Sequence, residues 1–396
     1  MSQDTTLYRK YRPQRLEDIV GQKHVTKTLG NAFLNNNLPH AFLFAGPRGC
    51  GKTTTAKILA KLVNCSNPQN GEPCNECQNC ISTDNGSNPD IVEMDAASNR
   101  GIENMRELTS KVDLKPSFGN KRVYIIDEVH MLTTESFNAL LKTLEEPPES
   151  VMFILATTEL NKVIGTITSR CQTHNFKRIS VHDITELLEK VAKTEGNIKI
   201  DASGAEAIAI NSGGSLRDAL GKLQQIKDYA GGELITHEVV NEYLGVINNE
   251  TLAKIIDLVI SKDLVSILSF VGEMDRDGVD VSQLCVDLEE YLRKIWLVGI
   301  DSQNSQLFYS SNEELKKITE HSSHISPENA LGYIEIVEDA MLKLHTNAIP
   351  RILLETTLTK MAYPDLDGGL VGIRRWLKNI DKRIIKLETV LEFFKQ

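Results

Sequence analysis

A chain of 396 residues with 41% apolar and 25% charged positions has the composition of a globular protein of two or three domains. Its formal net charge of -10 excludes a protein that coats nucleic acid by bulk charge, so any contact with DNA has to use a local patch. No apolar run reaches the ~18 residues of a membrane span, and the first residues lack a charged-then-apolar signal pattern, so no membrane partner and a cytoplasmic location are expected.

Residues 7–22 mix basic and aromatic groups around Pro13, and spacing alone leaves them either a solvated leader or a lid over a nucleotide base. Helical spacing follows at Val25, Leu29 and Phe33, and the Asn-Asn-Asn-Leu-Pro run at 35–39 ends it. Ala41–Ala45 is predicted to be a buried strand, residues 46–53 fit G-x-x-x-x-G-K-[ST], and Ala56, Leu59, Leu62 and Val63 set a helix. Strand, glycine-rich loop and helix in that order make a phosphate-binding loop. Gly46, Gly49 and Gly51 let the backbone curl so that N–H groups face phosphate oxygens, and the helix N-terminus adds partial positive charge. Pro47, Arg48, Cys50 and Thr54 complete the loop and the first helical turn. Lys52 is set to neutralise the β/γ-phosphates and Thr53 to hold Mg2+.

Four of the seven cysteines, Cys65, Cys74, Cys77 and Cys80, crowd into a stretch rich in Asn, Gly and Pro that has no core of its own. In a reducing compartment this clustering points to metal. Four thiolates close a tetrahedral structural zinc site and leave no position for a catalytic water; an iron–sulfur cluster or redox pair is the alternative. Cys50, Cys171 and Cys285 are isolated and expected to be inert.

Residues 90–95 are predicted to form a second strand. Ser98 is the expected N-cap of a helix through Ile102, Met105, Leu108 and Val112, with Asn99 and Arg100 as candidate phosphate or DNA ligands at its start. Residues 123–130 deliver Asp127 and Glu128 to a strand's C-terminal end, where open α/β sheets bind ligands; Asp127 is suited to the Mg2+ shell and Glu128 to polarising a water. A helix through Phe137, Leu140, Leu141 and Leu144 ends at Pro147, and residues 151–158 form the next strand, with Thr157 and Thr158 placed to sense the γ-phosphate. Arg170 has no evident local partner. The β-α alternation stops near residues 176–178, and short helices follow to 243, one of them with a Ser215–Asp218 capping pair and Arg217 in its first turn. That position disfavours a cation, which suggests an external anion for Arg217.

Residues 244–363 are expected to be wholly helical, with apolar repeats at Leu252, Ile255, Ile256 and Val259, then Leu284, Leu288, Leu292 and Ile295. Two later sets are Ile334, Val337, Met341 and Leu344, and Ile349, Ile352, Leu353 and Met361. A linker at 364–369 precedes a heptad pattern from Ile373 to Phe394, either a coiled coil or a helix docked on its own chain. The pattern runs to the end without a stop signal, so a longer natural chain is expected.

Taken together, Leu7-Tyr-Arg-Lys-Tyr-Arg-Pro13, the loop at 46–53, the four cysteines, Ile126-Asp-Glu-Val-His-Met-Leu132, the Asn-Ala-Leu-Leu-Lys-Thr-Leu-Glu-Glu-Pro-Pro run at 138–148, Ser169-Arg-Cys171 and Gly214-Ser-Leu-Arg-Asp-Ala219 resemble the clamp-loader branch of the AAA+ ATPases. The resemblance is dense over the first 240 or so residues and rests on position and character beyond them. It implies an α/β P-loop AAA+ module at 1–178, a parallel sheet with flanking helices and the zinc insertion at about 65–80. A helical lid at 179–243 and an all-helical collar at 244–363 would follow, then the linker and the helix at 370–396. It implies ATP, Mg2+ and a structural Zn2+ as cofactors, with Tyr8, Arg12, Pro13 and Val20 lining the adenine and ribose pocket. Thr157 matches the first sensor, Arg217 the second, and Arg170 an arginine finger inserted into a neighbour's site. Its implied partners are copies of itself and delta- and delta-prime-type subunits in a five-membered ring, a sliding clamp and primed DNA, with polymerase and helicase reached through a longer tail. The implied activity is ATP hydrolysis that opens the clamp and loads it, within the DNA-directed DNA polymerase assembly (a nucleotidyltransferase) but not as its polymerising subunit. Another DNA-remodelling AAA+ ATPase, a junction translocase or helicase loader, is the alternative.

Overall fold

The computed structural model describes residues 6–245, 249–303, 312–344, 346 and 348–363, in two compact units divided after Val240. The linker at 364–369 and the heptad pattern beyond it lie outside the described residues.

The first unit is built on a parallel sheet of β1 (Ala41–Ala45), β2 (Ile91–Asp95), β3 (Arg122–Asp127), β4 (Val151–Thr157) and β5 (Gln172–Asn175), in the order β2-β3-β4-β1-β5. Side chains alternate between faces along a strand. Phe42, Phe44, Val123, Ile125, Met152 and Ile154 therefore meet α2 (Lys23–Leu34) and α3 (Lys52–Val63) on one face. Leu43, Tyr124, Ile126, Phe153 and Leu155 meet α5 (Ile102–Ser110) and α6 (Thr134–Glu145) on the other. Both faces are covered, which is why β1 is apolar at every position and β4 at every position before Thr157; each large apolar side chain removed from water contributes about 1.5–3 kcal/mol. The short α1 (Leu7–Lys10) comes first, α4 (Gln78–Asp84) starts between Cys77 and Cys80 and runs on past the cysteine stretch, and α7 (Gly165–Thr168) precedes β5.

Two of these elements depart from expectation. β5 reads Gln-Thr-His-Asn and buries only His174; it is an edge strand held by its pairing with β1, so it carries no apolar signature. Ser98 does not cap α5, which starts at Ile102 after Gly101. The Asp95 carboxylate accepts the Ala97 N–H (2.9 Å) and the Ser98 hydroxyl (3.0 Å), and that local turn consumes the serine.

The sheet is followed by α8 (Val181–Glu195), α9 (Ala202–Asn211), α10 (Leu216–Ala230) and α11 (His237–Leu244). Ser180, Asp201 and Ser215 cap the first three through their side chains, and Ser215 Oγ accepts the Asp218 N–H at 3.3 Å as the sequence suggests.

Described by itself, the second unit is helical: α12 (Asn249–Ser261), α13 (Leu264–Arg276), α14 (Val281–Ile300), α15 (Asn312–His324), α16 (Pro327–Leu344) and α17 (Pro350–Ala362). α14 supplies the centre, with Leu284, Leu288, Leu292 and Ile295 fully buried against α15, α16 and α17. On α17 the buried stripe is Leu354, Leu358 and Met361. Ile349 and Ile352 are 63% and 53% exposed, because the helix starts at Pro350 and its inward face begins one turn later than the apolar spacing suggested.

Candidate nucleotide site and cysteine centre

The loop between β1 and α3 takes its shape from glycine stereochemistry. Gly46, Gly49 and Gly51 have φ of 153°, 74° and 102°. A Cβ on Gly46 would lie 2.4 Å from the Phe176 carbonyl oxygen, and one on Gly49 would lie 1.9 Å from Ser215 Oγ, so neither position admits a side chain. The Gly49 carbonyl accepts the Leu216 N–H at 3.2 Å, which seats the start of α10 against the loop. Lys52, 6% exposed, folds back and donates to the Gly46 and Pro47 carbonyls, both at 2.7 Å. Cys50 Sγ lies 2.8 Å from the Pro47 carbonyl, and burial pushes its thiol up; Arg48 is exposed.

β4 lies between β1 and β3, so the ends of three strands meet at one edge of the sheet. Thr53 Oγ1 donates to Asp127 Oδ2 at 2.6 Å, which joins the loop to the acid-bearing strand. Glu128 follows in a left-handed conformation (φ 48°), and its Oε2 accepts from the Thr158 hydroxyl (2.9 Å) and N–H (3.3 Å). Thr157 is fully buried; its hydroxyl meets His130 Nδ1 at 3.0 Å and accepts the Glu159 N–H at 3.0 Å. The hydroxyl that meets the second acid is therefore Thr158, and His130, which the sequence reading passed over, connects Thr157 to the same group at 3.4 Å from Glu128.

Arg12 Nε donates to Thr54 Oγ1 at 3.2 Å; burial pulls its guanidinium down from the usual range, with Glu93 and Asp127 opposing. The Tyr8 ring faces Arg217, whose Cζ lies 5.5 Å from the ring centroid. Pro13 and Val20 are half-buried on the same strap. Gln22, fully buried and not singled out by any motif, pins the strap's far end by donating to the Lys177 carbonyl (2.7 Å) and accepting the Lys177 N–H (3.1 Å).

Arg170 does have a partner, though a distant one in sequence: it pairs with Glu145 at the end of α6, and it also donates to the Thr166 carbonyl at 2.8 Å, while one third of its side chain remains exposed. The partner is 25 residues away in sequence, which hid it from local spacing. Asn99 and Arg100 donate within their own turn, to the Asp95 and Ala97 carbonyls, both at 3.0 Å, and Arg100 is exposed.

The four cysteine sulfurs lie within 4.8 Å of one another, with Cys74 and Cys80 at 3.9 Å. A tetrahedral ion with Zn–S of about 2.3 Å spaces its ligands about 3.8 Å apart, so donor set and spacing fit zinc. A multi-iron cluster spreads its thiolates over several metals and needs a wider nest. Burial raises the Cys77 thiol, but N–H donors from Ser66 and Cys80 and contacts with the neighbouring thiols outweigh it and hold Cys77 at about 6. Cys65 and Cys80 are pushed up, chiefly by burial, and Cys74 is lowered, chiefly by the Glu76 N–H. Burial alone lifts Cys171 to about 12, and burial with Asp280 lifts Cys285 to about 11.

Comparison with known proteins agrees with this geometry. Residues 21–180 match the family model described as DNA polymerase III, delta subunit, and residues 235–376 match that of DNA polymerase III subunits gamma and tau domain III. DNA polymerase III subunit tau of Bacillus subtilis (strain 168) is 39% identical over 359 residues, covering 90% of this chain and 62% of that protein. The gamma/tau subunit of Mycobacterium tuberculosis (strain ATCC 25618 / H37Rv) is 32% identical, covering 96% of this chain and 66% of that protein, so the chain spans under two thirds of both relatives. The gamma subunit of Buchnera aphidicola subsp. Baizongia pistaciae (strain Bp) is 34% identical over 359 residues, covering 90% of this chain and 96% of that protein. The Thermotoga maritima RuvB Holliday junction branch migration motor is similar at 22% identity and a TM-score of 0.44, covering 68% of this chain and 86% of that one; so shallow a likeness carries no argument for either function. The loop, the paired acids, the cysteine insertion and these matches together make the chain a member of the DNA polymerase III gamma/tau family.

Proposed function

We propose that the chain is an ATPase motor subunit of the clamp loader that serves DNA polymerase III. The observation that carries this reading is the 2.6 Å contact from Thr53 to Asp127, which brings the loop and the acid-bearing strand to one point at the sheet's C-terminal edge. There Thr53 and Asp127 would hold Mg2+, which supplies charge neutralisation at the β- and γ-phosphates. The loop's N–H groups cradle the triphosphate, and Lys52 leaves the Gly46 and Pro47 carbonyls to reach it. Glu128, steadied by Thr158, polarises the attacking water, and Thr157 acts at one remove through His130. Tyr8, Arg12, Pro13 and Val20 enclose the nucleoside, and Arg217 reaches the nucleotide from α10 beside Tyr8.

Hydrolysis is completed across subunits. Arg170 is exposed enough to leave Glu145 and enter a neighbouring site, and a finger of this kind contributes roughly 10³–10⁵ in rate. Neighbours are further copies of the chain and delta- and delta-prime-type subunits, held in a five-membered ring by the helical unit. ATP binding favours opening of a sliding clamp, and hydrolysis releases it closed on primed DNA, with Asn99 and Arg100 facing the DNA backbone. Cys65, Cys74, Cys77 and Cys80 would hold a structural zinc ion, which supplies rigidity to the insertion. The location is cytoplasmic; among the described residues no helix is long and apolar enough to cross a membrane. The chain belongs to the DNA-directed DNA polymerase assembly (a nucleotidyltransferase) without polymerising DNA itself, and a longer tail would contact polymerase and helicase.

The test is ATP turnover with the partner subunits, clamp and primed DNA added in turn. Full stimulation is expected only with the complete set; stimulation by a branched junction without clamp would favour the translocase.

A further inference from the structure

We infer that the cysteine insertion is the anchor of the nucleoside-enclosing strap at residues 12–20, with Glu72 and Asp84 as positioning residues for the base and ribose. This rests on the reading of the loop at 46–53 as a nucleotide site.

Glu72 lies between Cys65 and Cys74 on a two-residue hairpin, where Gln69 and Glu72 exchange N–H···O bonds of 2.9 and 2.8 Å around Asn70 (φ 51°) and Gly71 (φ 80°). Its carboxylate reaches out of the insertion and accepts two strap N–H groups, Leu16 at 2.7 Å on one oxygen and Glu17 at 3.0 Å on the other. Strap and insertion have no strand or helix in common there, so this bidentate acceptor is what satisfies those donors.

A second tether runs parallel to the first. Asp84, in the last turn of α4, accepts from the 2%-exposed Lys61 at 2.9 Å, and the same ammonium donates to Gln14 Oε1 at 2.7 Å. Between and beyond these two attachments the strap meets the phosphate loop. Arg12 bonds to Thr54, Leu16 and Ile19 are buried in the cluster that contains Cys50, and Ile19 Cγ2 would be 3.7 Å from a Cβ on Gly51. The insertion lacks a core, so the position of Glu72 depends on its four thiols being gathered. Gathering them therefore fixes the strap, and the strap fixes the nucleoside end of the site, while the phosphate end is fixed separately by the loop's own glycines.

The division of labour gives a test that a mere loss of stability would not pass. ATP and inorganic tripolyphosphate are titrated calorimetrically into the full chain, its Glu72→Ala variant and its Gln14→Ala variant, which cuts the second tether without touching the insertion, with zinc measured by elemental analysis. Glu72→Ala should bind ATP about tenfold more weakly, bind tripolyphosphate as the parent does, and keep the parent's zinc content; Gln14→Ala should show the same selective loss to a smaller degree. Glu72→Gln, which keeps one acceptor oxygen, should fall between. Removing zinc from the parent with a chelator should reproduce the selective loss and add little in Glu72→Ala. Equal weakening for both ligands, or unchanged ATP affinity in both variants, overturns the inference. A parent chain that binds neither ligand overturns the nucleotide reading instead, so the two failures are told apart.

Discussion

The phosphate loop and the cysteine insertion stand at opposite ends of one helix, α3, and are positioned in opposite ways. The loop is shaped by its backbone: left-handed glycines pressed against Phe176 and Ser215 and a strand buried on both faces hold it. The charged groups proposed to act at the site have internal partners, Lys52 on loop carbonyls, Glu128 on Thr158 and Arg170 on Glu145, which the proposed reaction would exchange for substrate. The insertion has no backbone scaffold beyond a short hairpin and α4, and its order depends on side chains that converge directly. On the proposed function, a catalytic site that must change partners would thus be carried on rigid backbone, and a structural site that must not change would be carried by side-chain ligands.

Breaking each arrangement at its own weak point should therefore give unlike results. Lys52→Ala removes a pre-organised donor without touching the glycines, and kcat for phosphate release should fall by roughly 10²–10³ while the far-ultraviolet dichroism is unchanged. Loss of secondary structure in that variant would mean that the lysine, not the glycines, shapes the loop. Cys74→Ser removes one of the four gathered thiols, and on the zinc reading metal binding should weaken by at least roughly the 10–100-fold that loss of outer-shell support costs; competition with a chromophoric chelator measures it. Undiminished zinc retention would leave the insertion without its ligand set.

Thr158→Val sharpens the contrast on the loop side. It removes the hydroxyl that steadies Glu128 but keeps the backbone N–H, so kcat should drop about tenfold, the worth of one charge-assisted bond, with KM unchanged. If Thr157→Val has the larger effect, the buried hydroxyl and not Thr158 is the one that matters to the reaction.

The smallest effect falls on the edge strand beside the loop. Burial, helped by the charge of His24, lowers the His174 imidazole, and its Nε2 has no hydrogen-bond partner within the protein. The native state therefore takes up the proton less readily than the unfolded chain. The stabilisation is fully present above the free-histidine value of about 6.5 and is lost as pH falls below it. Urea midpoints from pH 7 to 5 should fall more steeply for the parent than for His174→Gln; parallel slopes would remove His174 from the pH response.

The sequence declared chemistry that is local in the chain and concealed contacts made across it. The loop, Asp127 and Glu128 and the four cysteines were legible because their spacing is short and their residue types have few other uses. Glu72 was not, since it serves N–H groups 55 and 56 residues away and a lone glutamate carries no pattern. Gln22 and the Arg170–Glu145 pair were hidden for the same reason. β5 was missed because an edge strand with one buried residue has no apolar run to detect, and the exposed Ile349 and Ile352 show that apolar spacing near a helix end does not fix which face turns inward.

The most direct measurement mixes two chains, each expected to be inactive, in the proposed clamp-loader assembly. Lys52→Ala chains keep Arg170 but lack a working loop, and Arg170→Ala chains keep the loop but lack the arginine. A site completed between subunits requires the mixture to recover hydrolysis that neither variant shows alone, because some loops will face an intact arginine. A mixture as inactive as its components, or Arg170→Ala assemblies that hydrolyse ATP at the parent rate, would contradict it.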